Sequence, residues 1–88
     1  MFSGIVAMCG SVLEISSEGG VHRFRLQSSS DFVDDLDIGA SVCVNGTCLS
    51  VTSIDGEDLS FDLVEETMEV TTFASLTPGD RVNIERLS

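Results

Sequence analysis

Few side chains in this chain of 88 residues do covalent or acid–base chemistry near neutral pH, and they are thinly spread: Cys9, Cys43, Cys48 and one histidine, His22. The three cysteines form no CxxC pair, and with a single histidine they make no zinc set. A Cys43–Cys48 disulfide would cross a presumed hairpin, but the odd cysteine count predicts free thiols. No phosphate loop, nucleophile triad or carboxylate dyad stands out. What does gather is a set of small polar groups beside turns: Ser41, Asn45, Thr47, Cys48 and Ser50, then Asp62 and Thr67. In "NGTCLSV" (45–51) strand alternation puts Cys48 and Ser50 on one face and Leu49 and Val51 on the other. Ser41 and Cys43 share a face on the preceding strand. Packing beside the hairpin is the plainer role for these residues on spacing alone, because free cysteine is among the most buried side chains.

The elements that must position them are short strands between frequent turns. Turn signals fall at "EGG" (18–20), "NG" (45–46), "DG" (55–56) and "PGD" (78–80). In "VHRFRLQ" (21–27), Val21, Arg23, Arg25 and Gln27 face one way, and His22, Phe24 and Leu26 the other. "SVCVNG", "CLSVTSI" and "DLSFDLV" also read as strands. "RVNIERL" ends the chain with Val82, Ile84 and Arg86 on one face. Asn45-Gly46 suits a type I′ hairpin, because both residues accept positive φ, and Asp55-Gly56 predicts another for the next pair. Two helical pieces interrupt the strands. "SSDFVDDLDIG" offers Ser30 as N-cap and Gly39 as a stop. "EETMEVTTFASL" spaces Val64, Met68 and Leu76 helically, but its β-branched run limits it to a turn or two before Pro78. The pattern predicts an all-β fold of about six antiparallel strands, closed into a small barrel so that no edge is left uncovered.

Composition narrows the partners. Eighty-eight residues make one domain, 1–88, and 42% hydrophobic residues make it globular rather than disordered. Fifteen acids against four bases give a net charge of −11, which repels nucleic-acid phosphates and anionic lipids. No apolar run approaches a membrane span, and "MFSGIVAMCG" lacks the basic start of a signal peptide, so the chain is expected in the cytoplasm. His22, as a lone strand histidine, is expected on the surface or half-buried.

Four stretches in order, "MFSGIV" (1–6), "GASVCVNGTCLSVT" (39–52), "SFDLVEET" (60–67) and "GDRVNIER" (79–86), resemble the first lumazine-binding barrel of riboflavin synthase. The lumazine and flavin antenna proteins of luminous bacteria share that barrel. The resemblance covers essentially the whole chain and implies a six-stranded antiparallel Greek-key barrel with one or two short helical turns. The synthase takes two molecules of 6,7-dimethyl-8-ribityllumazine and moves a four-carbon unit between them, giving riboflavin and a pyrimidinedione. No metal and no organic cofactor are required. Such a site must press two flat heterocycles face to face and stabilise charge on them. Carried over by position, Gly4, Ile5 and Val6 would line the pocket, and Cys48, Leu49 and Ser50 would form a second wall. Asp62, Leu63, Val64, Glu65, Glu66 and Thr67 would hold the ring edge and ribityl hydroxyls. Phe2, Ser41 and Cys48 match positions associated with turnover. Ser50 stands where threonine is usual.

The synthase it resembles has a second barrel, opened by a histidine-bearing segment implicated in catalysis, and His22 lies in a different strand. The chain is therefore expected to hold half of a composite site, completed by a homodimer or by pairing with a second barrel. Three readings follow: a synthase domain, a non-catalytic storage or antenna protein for a flavin or lumazine, and an interaction module that kept only the fold.

Overall fold

The computed structural model describes residues 4–64 and 72–87. Six strands run β1 (Ile5–Glu18), β2 (Val21–Gln27), β3 (Ser41–Val44), β4 (Thr47–Asp55), β5 (Asp58–Val64) and β6 (Arg81–Leu87). A four-residue helix α1 (Ser30–Val33) joins β2 to β3, and a 3-10 turn (Thr72–Ser75) precedes β6. All neighbours pair antiparallel in the order β1-β2-β5-β4-β3-β6, and β6 closes the barrel on β1. The hairpin-linked strands β3, β4 and β5 with β6 returning beside β3 make a Greek key. The expected closed all-β barrel is thus the fold observed.

The turns follow the glycine signals. Asn45 (φ +48) and Gly46 (φ +86) both take left-handed backbone between Val44 and Thr47, as a type I′ turn requires. The next turn lies one residue later than expected. Asp55 pairs with Asp58, so Gly56 and Glu57 are its central residues, and only Gly56 has positive φ.

The longest strand, β1, is one that alternation alone does not reveal. Its first half pairs with β6 and its second with β2, and a bulge at Leu13 breaks the two-residue period. Val12 and Ile15, three apart, therefore both turn inward, against Leu26 and Phe24. A second bulge at Thr52 does the same for Val51 and Ile54, opposite Phe61 and Leu59. In β2 the expected alternation holds: Phe24 and Leu26 are buried, His22 is half-buried, and Val21, Arg23 and Gln27 are exposed.

The inward faces meet in one core. Phe61, Leu59, Val42 and Ile84 are 0% exposed. Phe24 and Phe73 pack with ring centroids 5.6 Å apart. Phe32 from α1 is buried at one end of the barrel. The cap of that helix is Ser29, not Ser30: Ser29 is extended (φ −135, ψ 165), and its hydroxyl accepts a hydrogen bond from the Phe32 N–H at 3.2 Å. The helix ends at Val33, well before Gly39. Of the second helical piece, the described residues are 72–76, where Thr72–Ser75 make a 3-10 turn and Leu76 packs against the core. Val64, expected at helical spacing, instead ends strand β5, and Met68 lies outside the described residues. Among the described residues, no helix is long and apolar enough to cross a membrane.

Candidate ligand-binding cavity

Outward-facing positions of four strands line up across the barrel wall. Ala7 pairs with Glu85, Glu85 with Cys43, and Cys43 with Cys48. Beside this row Ile5 pairs with Leu87, and Ser41 with Ser50. The loop after α1 and this row together line an open cleft of about 490 Å³, within the usual range for small organic ligands. Ile5, Ser41, Cys43 and Cys48 form its floor, Asp35, Leu36, Asp37 and Ala40 the loop wall, and Glu85, Arg86 and Leu87 the rim. Its lining is mainly apolar, and Ile5 and Leu87 stay 65% and 55% exposed.

The loop is held in place from both ends. Gly39 N–H donates to the Val51 carbonyl at 2.8 Å, and Val51 N–H to the Ala40 carbonyl at 2.9 Å. Arg86 grips the other end: Nε donates to the Phe32 carbonyl at 2.6 Å and Nη2 to the Asp34 carbonyl at 2.9 Å. Its guanidinium also lies 5.8 Å from the centre of the Phe32 ring. The last carbonyls of a helix lack partners within it, and here an arginine 54 residues downstream supplies two.

The expected site residues are distributed as follows. Ile5, Ser41 and Cys48 come together in the cavity floor, and Ser50 sits one outward position from Cys48, across from Ser41. Gly4 is exposed just before Ile5. Strand alternation turns Val6, Leu49 and Leu63 toward the core instead. Val64 is exposed at the end of β5. Asp62 borders a different, smaller groove of about 230 Å³ with Arg23, Ser16 and Val21. Phe2, Glu65, Glu66 and Thr67 lie outside the described residues. The loop wall, Cys43 and the β6 rim were not picked out as site residues. The one available signal for the rim was the recurrence of Arg86 on the Val82–Ile84 face.

One expectation is overturned. Cys43 and Cys48 are joined in a disulfide rather than free. They sit directly opposite one another in the β3–β4 ladder, with Cα atoms 4.0 Å apart and both side chains outward, so the register itself brings the sulfurs together. Cys9 is the free, exposed cysteine, and its sulfur accepts from Arg81 Nε at 3.2 Å. Among the described residues no group of three His, Cys, Asp or Glu side chains gathers as a metal site.

In the smaller groove Arg23 Nε and Nη2 bond both Asp62 oxygens, at 2.8 and 3.2 Å. That hydrogen bonding, aided by the guanidinium charge and opposed by partial desolvation, holds the Asp62 carboxyl below its ordinary value. A carboxyl depressed in the folded state stabilises fully above its unfolded pKa and loses that contribution as pH falls through the folded value. Asp62→Asn is therefore expected to melt slightly below wild type at pH 7, by no more than about 2–4 °C because the pair is exposed and screened. The gap should close below about pH 4. A gap that persists unchanged in acid would mean that Asp62 acts through packing instead.

Fold and cavity together define a small Greek-key barrel of the ligand-binding type. The lumazine binding domain family matches residues 3–87, and the chain belongs to that family. Riboflavin synthase of Escherichia coli (strain K12) is 40% identical over 86 residues, which cover 98% of this chain and 40% of that protein. Riboflavin synthase of Bacillus subtilis (strain 168) is 33% identical over the same shares of the two chains. The chain thus spans about two-fifths of the length of these curated relatives. Among solved structures, LumP complexed with riboflavin superposes with a TM-score of 0.84 at 32% identity, covering 98% of this chain and 46% of LumP. LumP complexed with 6,7-dimethyl-8-(1′-D-ribityl) lumazine gives a TM-score of 0.82, with 96% and 47% covered.

Proposed function

We propose that the 88 residues act as one barrel domain that binds 6,7-dimethyl-8-ribityllumazine or riboflavin in the cavity beside β1, β6, β3 and β4. The observation that carries this reading is the meeting of Ile5 from β1 with Ser41 and Cys48 of the β3–β4 hairpin in one floor under the 35–40 loop. Apolar Ile5, Leu36 and Leu87 suit the faces of a flat heterocycle, and Ser41 and nearby main-chain groups suit its polar edge and the ribityl hydroxyls. In the synthase reading Ser41 and Cys48, with Phe2, serve turnover, and the reaction needs no cofactor. Two lumazines must stack, so the chain supplies half of a site that a second barrel completes, as a homodimer or from another domain. Isolated, it should consume lumazine very slowly or not at all. The likeness to LumP complexed with lumazine and with riboflavin favours a second reading, a non-catalytic flavin or lumazine carrier.

Titration of riboflavin fluorescence is expected to show one ligand per chain, with a dissociation constant in the range of about 1–50 μM. No change up to about 100 μM would overturn the binding reading. A phosphate on the ribityl chain should weaken binding roughly tenfold, about 1.4 kcal/mol. Asp35, Asp37 and Glu85 border the cavity, and all four cationic side chains are already engaged: Arg23 by Asp62, Arg25 by Glu14 and Asp58, Arg81 by Cys9, and Arg86 by backbone carbonyls. Added salt should narrow that difference. Lumazine consumption measured with and without added second barrel separates the synthase half-site from the carrier.

A further inference from the structure

We propose that Cys43 and Cys48 form a reversible thiol–disulfide site, switched by low-molecular-weight thiols and disulfides, whose state sets how tightly the cavity holds its ligand. The inference rests on the flavin- or lumazine-binding reading of that cavity and assigns it a means of regulation.

Three observations carry it. Both cysteines line the cavity floor, so any reagent small enough to enter reaches the sulfur pair. The partners are set opposite each other by the β3–β4 ladder, five residues apart in sequence across the Asn45-Gly46 turn. The hairpin is closed by backbone hydrogen bonds and by Asn45, which exchanges bonds with Asn83 of β6 at 2.8 and 2.9 Å. A disulfide here closes only a short loop that is already closed, so making or breaking it leaves the barrel folded. Cys9, by contrast, is outside the cavity and has no second cysteine beside it.

The exchange is balanced. One cysteine thiolate attacks a sulfur of a small disulfide, forming a mixed disulfide and releasing one small thiolate. The second cysteine thiolate attacks the protein sulfur of that bond, forms Cys43–Cys48 and releases the other small thiolate. The small disulfide is reduced by two electrons, the protein pair is oxidised by two, and the two cysteine protons go to the departing thiolates. Two small thiols reverse it. In the dithiol state both sulfurs carry hydrogens, and Cys48 is free to turn against a bound ring. In the disulfide state neither sulfur donates, and Cys48 is held against Cys43. The dithiol state is therefore the tight-binding one.

The test uses the whole chain with Cys9→Ser, to remove the unrelated thiol, equilibrated at set ratios of reduced to oxidised glutathione. Intact mass reports the pair's state, and riboflavin titration reports affinity in the same samples. Oxidation is expected to raise the dissociation constant about fivefold or more, and reduction to restore it. With Cys43→Ser added, the affinity, whatever its value, should no longer respond to the ratio. Equal or tighter binding in a verified disulfide state overturns the switch alone, as does failure of the bond to form at any ratio. Riboflavin that binds in neither state, while the bond forms and breaks, overturns the ligand reading and the switch with it.

Discussion

Gly10→Ala is expected to lower the melting temperature by about 10–20 °C, and Gly10→Val to leave little folded barrel at room temperature. Gly10 lies where β1 leaves β6 and turns onto β2: it pairs with Val82, and the next residue, Ser11, pairs with Gln27. A Cβ there would stand 2.7 Å from the Gln27 carbonyl oxygen and 3.3 Å from Ile84 Cδ1. The first of these is backbone and cannot rotate away. Relief requires moving β1 from β2 at the seam where the sheet closes, which disturbs hydrogen bonds on both sides. The cost of about 2–4 kcal/mol is a large share of the 5–15 kcal/mol that holds a domain of this size. Thermal unfolding by circular dichroism measures it. A Gly10→Ala protein within about 2 °C of wild type would show that the two strands do not approach this closely.

Arg86→Ala is expected to cost about 2–4 kcal/mol and to weaken riboflavin binding at least about tenfold in protein that is still folded. The guanidinium bonds three carbonyls, of Phe32, Asp34 and Leu87, and lies near the ring of Phe32. Its removal strips partners from the end of α1 and frees the loop that carries Asp35, Leu36 and Asp37 over the cavity. Lysine should rescue little, because an ammonium group cannot span two carbonyls as a planar fork does. Melting curves and titrations on the same preparations separate the roles. Lost affinity with an unchanged melting temperature would mean that Arg86 touches ligand rather than holding the loop. No change in either would remove the clamp from consideration.

Much of the barrel is written locally. Phe24 and Leu26 alternate with charged neighbours in β2, and Asn45-Gly46 supplies the positive φ values that a two-residue hairpin needs, so these elements follow from the chain's own sterics and solvation. The facing of Ser41 and Cys43 toward Ser50 and Cys48 follows too, since a two-residue turn leaves one register. β1 was hidden for a physical reason: the bulge at Leu13 shifts its inward set from Val12 to Ile15, and each half answers to a different partner strand. The cavity likewise depends on closure. Ile5, Ser41, Cys48 and Leu87 become neighbours only when β6 lies between β1 and β3, and local preference does not encode which strand lies beside which. The placing of Asp62 with Arg23 in another groove is decided the same way, by the pairing of β2 with β5. The turn and alternation place Cys43 opposite Cys48, with Cα atoms 4.0 Å apart in the hairpin ladder; the grip of Arg86 on a helix 54 residues earlier exists only once the sheet has closed.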